Sequence, residues 1–334
     1  MSRVLVIYTG GTIGMVPSAD GYRPEPDFAA RLRCALGERD LPEFELLEFD
    51  RLIDSASLRP ADWEPIARVL RERWNEYAGF VVLHGTDTLA YTASALSFML
   101  PQQDKPVILT GSQIPLSQSR NDALDNLLTA LLLASHSDLA EVCICFNGRL
   151  LRGNRSRKVK SSGLAAFDSP NCPWLGEVGI DIRLSPECLP PEPVRFEIPS
   201  CDPEAVVLLM AYPGMPLRLL REALAPEAVR GLVLLTYGVG NPPETDGGLL
   251  DELARAAARD QVVVNLTQCQ QGAVTQGAYA TGALLNRVGV VPGLDLTPEA
   301  AFAKLHHLIA TGCSPALIRR TLGRALRGEC SPQP

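Results

Sequence analysis

The sequence predicts an α/β protein with two domains: a larger N-terminal domain on a doubly wound, parallel-type sheet and a smaller C-terminal α/β domain. Apolar runs of strand length alternate with segments of helical periodicity, as in parallel sheets covered by helices on both faces. The length of 334 residues exceeds the roughly 250–300 residues that one hydrophobic core usually serves. A proline-rich stretch also interrupts the alternation.

The predicted strands of the first domain are Val4–Tyr8, Phe44–Phe49, Phe80–Leu83, Val107–Thr110 and Val142–Phe146. The predicted helices between them are Phe28–Leu36, Ala61–Tyr77, Thr88–Leu100 and Asp122–Ala134. The second domain repeats the pattern, with strands Ala205–Met210, Leu232–Thr236 and Val262–Leu266 and helices Leu217–Leu224, Gly248–Arg259, Pro298–Thr311 and Pro315–Arg327.

The predicted domain boundary lies in the proline-rich stretch. Repeated prolines from Leu184 to Pro203 cannot continue a helix or a central strand. We therefore expect an N-terminal domain over 1–183, a linker over 184–203 and a C-terminal domain over 204–334.

Composition and charge argue against several classes of partner. A net charge of -7 gives no broad attraction to nucleic acid or to an anionic membrane. The longest helical apolar run, Leu127–Ala134, is far shorter than the ~20 residues that span a bilayer. No segment of signal-peptide form precedes the first strand, and the nine cysteines are scattered without a C-x-x-C pair. These features predict a cytoplasmic protein without disulfides or a zinc site.

The first motif is Tyr8-Thr9-Gly10-Gly11-Thr12-Ile13-Gly14-Met15, which directly follows a buried strand. Its glycines permit a tight turn and close approach to a ligand. It lacks the G-x-G-x-x-G spacing and the Gly-Lys-Ser/Thr of nucleotide loops. An ordinary turn is the alternative, but the motif leaves Thr12 at a strand's carboxyl end, where open α/β sheets bind ligands.

The second motif, His84-Gly85-Thr86-Asp87-Thr88, follows the strand Phe80–Leu83. Parallel strands would bring this loop, Thr12, Asp54 with Ser55, and the 110–113 segment to one edge of the sheet. Each member has a structural alternative: Thr86 to Thr88 are typical helix caps, and Asp54 and Ser55 are typical of a local turn. Only their coincidence on one edge favours a reaction site.

A base could come from the cationic segment Arg149 to Lys160, although such a segment is more typical of a solvated face or an anion site. A lysine's reference pKa of ~10.4 falls when its ammonium is desolvated, so that the amine can accept a threonine's proton. A threonine, a lysine and an orienting carboxylate would form a variant of the catalytic triad. The pattern predicts acyl transfer to water, and Asp54 suits a substrate that carries an ammonium group.

The two motifs resemble the signature motifs of bacterial-type L-asparaginases. Further segments of the cytoplasmic, type I branch are similar to Gly111-Ser112-Gln113, Tyr237-Gly238-Val239-Gly240-Asn241 and Asn265-Leu266-Thr267-Gln268-Cys269. The resemblance covers nearly the whole chain. It implies hydrolysis of L-asparagine to L-aspartate and ammonia through a covalent acyl-threonine, without cofactor or metal.

The resemblance also implies roles for individual residues. Thr12 would be the nucleophile, helped by Tyr22 in a mobile loop, and Thr86, Asp87 and Lys158 would form a second, triad-like group. The substrate would be bound by Gly11, Asp54, Ser55, Ala56, Thr86, Asp87 and Ser112. Self-association as a dimer or tetramer would allow Asn241 to reach a neighbouring subunit's site, and an effector site would involve Thr267, Gln268 and Cys269.

Three alternatives remain at this stage. A related amidohydrolase could act on glutamine or release ammonia as an amidotransferase subunit. A non-catalytic amino-acid sensor would keep the pocket without turnover, although retention of both threonines, Asp87 and Lys158 argues against it. The cationic segment could bind phosphate or nucleic acid, and such binding would weaken with rising salt.

Overall fold

The computed structural model describes residues 3–19, 21–25, 27–136, 138–243, 248–278 and 280–332. Contacts divide the chain into two compact units, Met1–Ile198 and Pro199–Pro334. Both units contain a parallel sheet packed against helices, so the predicted fold class is confirmed.

The strands of the first unit are β1 (Val4–Tyr8), β2 (Met15–Ser18), β3 (Gly21–Pro24), β4 (Phe44–Glu48), β5 (Gly79–Leu83), β6 (Val107–Thr110), β7 (Val142–Phe146), β8 (Arg149–Arg152), β9 (Arg157–Lys158), β10 (Phe167–Asp168), β11 (Gly176–Val178) and β12 (Ile182–Leu184). Its α-helices are α1 (Phe28–Leu36), α2 (Trp63–Arg73), α3 (Leu89–Met99) and α4 (Ala123–Ala134). Among the described residues, eight strands form the main sheet in the order β12-β11-β8-β7-β6-β5-β1-β4.

The five strands predicted from the sequence form the parallel part of this sheet, β4-β1-β5-β6-β7. In β1, Val4, Val6 and Tyr8 pack in one core with α1 and α4, whereas Leu5 and Ile7 on the opposite face are equally buried. Both faces of the strand are therefore covered, as in a doubly wound sheet. The carboxyl ends of these strands lie at one edge, which positions the motif loops.

Antiparallel strands that the sequence pattern did not indicate extend one side of the sheet. β8 pairs with β7, β11 with β8 and β12 with β11, all antiparallel. β2 and β3 form a separate hairpin directly after the first motif, and β9 pairs with β10 in a short ladder that carries Lys158.

The second unit contains β13 (Val206–Met210), β14 (Gly231–Thr236), β15 (Val262–Thr267) and β16 (Val291–Pro292), with α5 (Leu217–Leu224), α6 (Gly248–Ala258), α7 (Ala280–Arg287), α8 (Pro298–Ala310) and α9 (Pro315–Leu322). The strands pair in parallel in chain order. One core contains residues of α8 and α9, and another contains residues of α5 and α6.

One predicted helix in the second unit was too long. Pro315–Arg327 ends at Leu322, with Gly323 at its C-terminal cap. The carbonyl groups of Leu322 and Arg324 accept hydrogen bonds from the buried Lys304 ammonium at 3.3 and 2.5 Å. This tertiary contact holds the end of the helix. The sequence pattern also missed α7 and β16.

Candidate active site

Glycines hold the loops at the carboxyl edge of the first sheet against one another. A Cβ atom on Gly10 would lie 2.4 Å from the carbonyl oxygen of Ile53, and one on Gly11 would lie 2.5 Å from the amide nitrogen of Gly85. Both contacts are with backbone, which cannot move aside as a side chain can. The loops after β1, β4 and β5 therefore touch directly through their main chains.

The two threonines of the motifs flank this contact. Thr12 follows Gly11 in a single 3-10 turn, Thr12–Gly14, and is half-buried. Gly11 has a φ of 93°, which a residue with a Cβ rarely adopts. Thr86 follows Gly85 and is 6% exposed. Because the two glycines touch, Thr12 and Thr86 extend from adjoining points of the same edge.

Lys158 lies between two members of the second motif. Its Nζ donates hydrogen bonds to Thr86 Oγ1 at 2.8 Å and to Asp87 Oδ1 at 2.8 Å. The lysine side chain is 21% exposed, whereas the Asp87 side chain is 58% exposed. The predicted threonine, lysine and carboxylate therefore form one hydrogen-bonded group with access to solvent.

The capping alternative for these residues does not apply. Thr88 occupies the N-cap position of α3, but its side chain makes no capping hydrogen bond. Its hydroxyl instead donates to the carbonyl oxygen of Ser55 at 2.8 Å. The Thr86 and Asp87 side chains face Lys158. The polar residues before α3 thus join neighbouring loops.

The local-turn alternative does apply to Asp54. Its Oδ1 accepts from the backbone N–H of Ala56 at 3.1 Å, which caps a 3-10 turn over Ser55–Ser57. Asp54 and Ala56 are exposed, whereas Ser55 is 5% exposed. The Ser55 hydroxyl lies 2.3 Å from where a Cβ of Gly85 would be, so this turn contacts the second motif. The turn fixes the position of Asp54.

The loop after β6 is shaped by residues that the sequence analysis did not assign to the site. Both oxygens of Asp122 accept from the backbone N–H of Gln113, at 3.1 and 3.0 Å, and Oδ1 also accepts from that of Ile114 at 2.9 Å. The Asn126 side-chain amide donates to the carbonyl oxygen of Gly111 at 2.9 Å. Asp122 directly precedes α4, a position where aspartate is also typical of a helix cap, but its side chain makes no capping hydrogen bond.

Ser112 lies in this shaped loop and is 1% exposed. Its hydroxyl has no hydrogen-bond partner within the described parts of the chain. Gly111 lets the same loop approach the second motif, since a Cβ there would lie 2.4 Å from the carbonyl oxygen of His84. The predicted substrate residue Ser112 thus lies on a loop that contacts the second motif.

His84, the first residue of that motif, is buried and neutral. Burial lowers its pKa to about 4, against the smaller opposite effect of a hydrogen bond to the Gly85 carbonyl. Nδ1 lies 2.7 Å from that carbonyl oxygen and therefore carries the proton. Nε2 lies 3.1 Å from Thr92 Oγ1, which donates to it. The ring holds the backbone of Gly85.

Tyr22 lies on the β2–β3 hairpin, opposite Pro17, and is 54% exposed. The base of the hairpin is fixed by Arg31, whose guanidinium donates to the carbonyl oxygens of Gly14 at 2.9 Å and Glu25 at 3.0 Å. The exposed Tyr22 ring, on a hairpin that Arg31 anchors at one end, is compatible with the mobile loop expected from the family resemblance. Contact between Tyr22 and Thr12 stays a prediction.

Two arginines of the cationic segment, Arg149 and Arg152, are engaged by acidic and aromatic side chains. Arg152 is 8% exposed and makes a two-point ion pair with Glu141 at 2.6 and 3.1 Å. Arg149 lies over the Trp174 ring at 4.2 Å and 3.5 Å from Asp168. Both of these charges are engaged away from the second motif, whereas Lys158 is hydrogen-bonded to it.

The remaining predicted residues lie in the second unit. The backbones of Asn241 and Tyr237 exchange two hydrogen bonds, of 2.9 and 2.8 Å, in the loop after β14. After β15, the Gln268 side chain donates to the Ala211 carbonyl at 2.6 Å, and Thr267 Oγ1 accepts from the backbone N–H of Cys269 at 3.0 Å. Their proposed roles toward a neighbouring subunit and an effector stay predictions.

The described residues contain neither a metal-ligand cluster nor a membrane-spanning helix. Among those ranges, no group of His, Cys, Asp and Glu side chains could ligate a metal ion. No helix within them has both the length and the apolar character needed to cross a bilayer.

Two family models match the chain. Residues 3–189 match the N-terminal asparaginase domain, and residues 205–322 match the glutaminase/asparaginase C-terminal domain. The chain belongs to the asparaginase family. This membership confirms the family resemblance and the predicted enzyme class, a hydrolase that acts on amide bonds.

Individual relatives resemble this chain over nearly their full lengths. The chain is 44% identical to L-asparaginase 1 of Escherichia coli (strain K12) over 333 residues, which is 98% of each sequence. The crystal structure of L-asparaginase I from Vibrio cholerae superposes with a TM-score of 0.90 at 42% identity and 99% coverage of both chains. The thermostable L-asparaginase of Thermococcus kodakarensis gives a TM-score of 0.91 at 33% identity, over 99% of this chain and 100% of that one.

Proposed function

We propose that this protein hydrolyses the side-chain amide of L-asparagine to L-aspartate and ammonia through an ester on Thr12. Membership of the asparaginase family and full-length similarity to proteins named L-asparaginase support the reaction. The geometric observation that carries the proposal is Lys158 Nζ at 2.8 Å from both Thr86 Oγ1 and Asp87 Oδ1, on the edge where Thr12 also lies.

In the first half-reaction, Thr12 Oγ1 attacks the carbon of the side-chain amide. The new C–O bond forms, the C–N bond breaks, and the leaving nitrogen takes up the proton that the Thr12 hydroxyl gives up and departs as ammonia. Tyr22 assists by hydrogen bonding to the Thr12 hydroxyl when the hairpin closes. The acyl group remains as an ester on Thr12, so that one difficult hydrolysis becomes two easier steps.

In the second half-reaction, water attacks the ester. The Thr86–Lys158–Asp87 group accepts the proton of the attacking water and passes a proton to the Thr12 oxygen as the C–O bond breaks and L-aspartate leaves. Lys158 must first release a proton to act as a base, and the exposed Asp87 carboxylate beside it gives that proton a path to solvent. Asp87 then orients the amine toward Thr86.

Substrate binding uses the other loops of the edge. The exposed Asp54 carboxylate pairs with the substrate's α-ammonium group, which is a charge-assisted contact. Gly11, Ser55, Ala56 and the Ser112 loop surround the α-carboxylate and the reacting amide. The turn around Asp54 and the bonds of Asp122 hold these loops before substrate arrives, which lowers the ordering cost of binding.

The protein acts in the cytoplasm as a dimer or tetramer under this proposal. Asn241 then completes a neighbouring subunit's site, and Thr267, Gln268 and Cys269 form a site for an effector. Sedimentation velocity would test the assembly, and curvature in rate against asparagine concentration would test the effector site.

Ammonia release from L-asparagine by the purified chain tests the reaction. We expect turnover by the parent and none above background by Thr12→Ala. A parent that releases no ammonia, or a Thr12→Ala variant that matches it, would reject the proposal. The same assay with L-glutamine measures selectivity, because one methylene in a pocket is worth only about 1–3 kcal/mol.

A further inference from the structure

Gln113 connects the catalytic threonine Thr86 to the turn that follows Lys158. Its Nε2 donates to the carbonyl oxygens of Ser161 at 3.1 Å and Gly163 at 3.2 Å. Its Oε1 accepts from Thr86 Oγ1 at 3.4 Å. The Gln113 side chain therefore joins two loops that have no sequence proximity.

The orientation of the Gln113 amide follows from its partners. The two carbonyl oxygens can only accept hydrogen bonds, so the NH2 group must face them and the oxygen must face Thr86. The main chain is fixed as well, because both oxygens of Asp122 accept from the Gln113 N–H. Backbone and side chain are thus both held, which leaves little freedom to reorient.

This orientation directs the hydrogen of the Thr86 hydroxyl. A hydroxyl has one hydrogen, and in this arrangement it points to Gln113 while a lone pair accepts from the Lys158 ammonium at 2.8 Å. The bond to Gln113 is long, since hydroxyl donors usually lie about 2.5–3.0 Å from their acceptors. A long bond is easily exchanged, so Thr86 can turn its hydrogen to Lys158 once the amine is neutral.

We propose that Gln113 is a positioning residue of this enzyme: its amide orients the Thr86 hydroxyl and holds the 161–163 turn so that Lys158 stays within reach. The inference rests on the proposed function. It assigns Gln113 no contact with the reacting atoms, and its effect passes through Thr86 and Lys158.

Two substitutions separate this role from a purely structural one. Gln113→Met keeps the length of the side chain and removes both kinds of hydrogen bond. Gln113→Glu keeps the shape, places a carboxylate against the two carbonyl oxygens and adds a negative charge near the Lys158 ammonium. Gln118→Glu adds the same charge further along the same segment and serves as the matched control.

The experiment measures kcat and KM for ammonia release from L-asparagine across pH. We expect Gln113→Met to lose about 10–100-fold in kcat with KM close to that of the parent, as removal of supporting contacts around a site commonly does. Gln113→Glu should move the acid limb of the kcat/KM profile to higher pH by about one pH unit, because a nearby anion favours the ammonium. Its activity should recover in part as pH rises.

Other outcomes distinguish the two proposals. A parent that turns over, with Gln113 variants that match it or a Gln113→Glu profile whose acid limb coincides with that of Gln118→Glu, would overturn the role of Gln113 alone. A raised KM with unchanged kcat in Gln113→Met would also overturn it, since that result indicates substrate binding. A parent inactive on L-asparagine would overturn the proposed function and this inference with it.

Discussion

The two units of this protein use the polar side chains at the ends of their parallel strands in different ways. In the first unit, the loop after β5 and the strand β9 bring the ionisable Lys158 and Asp87 together with the Thr86 hydroxyl, partly open to solvent. In the second unit, the neutral Asn265 accepts from Thr236 at 2.7 Å and donates to the Gly240 carbonyl at 2.9 Å, fully buried.

The difference lies in the partners and not in the architecture. Amides that bond to carbonyl oxygens fix the path of a loop, and Gln268 and Asn265 do this in the second unit. Ionisable groups that face a hydroxyl can move a proton, and Lys158 faces the Thr86 hydroxyl in this way at the edge of the first sheet. The same fold therefore supplies a scaffold in both units and, under the proposed function, a reaction site in the first.

The largest expected effect is the loss of the Lys158 amine. Lys158→Met should lower kcat by about 10²–10⁴-fold, the usual contribution of a general acid or base. The exposed neighbour Lys160 is the matched control, and Lys160→Met should keep activity within a few-fold of the parent. Steady-state ammonia release with both variants tests this prediction, and equal losses would show that Lys158 acts only through net charge.

Buried ion pairs should matter equally in both units. Arg152 and Glu141 form one in the first unit, and Lys304 and Glu329, both 0% exposed in their side chains, form one in the second at 2.5 Å. Arg152→Met and Lys304→Met should each lower the free energy of unfolding by about 3–5 kcal/mol, because each removes the cation that compensates a buried carboxylate. Denaturant titration measures the losses.

The control for these pairs is an exposed one on α2. The Arg68 side chain is 57% exposed and pairs with Glu64. Arg68→Met should change the free energy of unfolding by less than about 1 kcal/mol. If Lys304→Met and Arg68→Met lower the free energy of unfolding by the same amount, burial does not explain the contribution of the internal ion pairs.

His84 in the first unit and His306 in the second are buried histidines that should make stability depend on pH. Burial lowers the pKa of His84 and of His306 to about 4, from an unfolded value of 6.5. Below pH 6.5 the unfolded chain binds protons that the folded chain does not, so the free energy of unfolding falls as pH drops from 6.5 to about 4. The loss is roughly 3 kcal/mol per histidine.

Substitution separates the two contributions. His306→Gln should remove the part of the pH dependence that His306 contributes and leave that of His84. Chemical denaturation at several pH values between 4 and 7 gives the slopes. A variant with the same slope as the parent would show that His306 is protonated in the folded chain over this range.

The smallest effect compares two glycines with similar backbones. Gly11 and Gly272 have φ values of 93° and 104°, but they differ in what an added Cβ would meet. A Cβ on Gly11 would lie against neighbouring backbone, whereas one on Gly272 would have no non-neighbouring atom of the described residues within 4 Å. Gly272→Ala therefore measures backbone strain alone. Gly11→Ala should cost a further 1–3 kcal/mol or so for overpacking, and also activity. Thermal melts that give equal losses would contradict the close contact of the motif loops.

Much of the fold could be predicted because its central strands are apolar runs that end at glycines or polar loops. β1, β6 and β7 have the predicted bounds. The edge strands could not be predicted in this way. β8 contains two arginines, and its Arg152 is buried only because Glu141 is there to pair with it. Such an ion pair depends on tertiary structure, which the hydrophobic periodicity of the sequence does not reveal.

In the candidate site, too, some residues could be predicted from the sequence and others could not. Thr12, Thr86 and Asp87 were predicted from their positions after strands, and Lys158 from a cationic segment together with the family resemblance. Asp122 and Gln113 act through contacts with residues far along the chain, and their types are also typical of a helix cap and a surface loop. Only the folded arrangement distinguishes those uses.

In the proposed mechanism, Thr12 carries the acyl group, and Lys158 accepts and returns the proton that passes through Thr86. The most direct measurement is rapid acid quenching during turnover of L-asparagine, followed by proteolysis and mass mapping of the peptides. We expect an aspartyl ester on Thr12 in the parent and no such ester in Thr12→Ala. An ester found on Thr86 or on any other residue, with Thr12 unmodified, would contradict it.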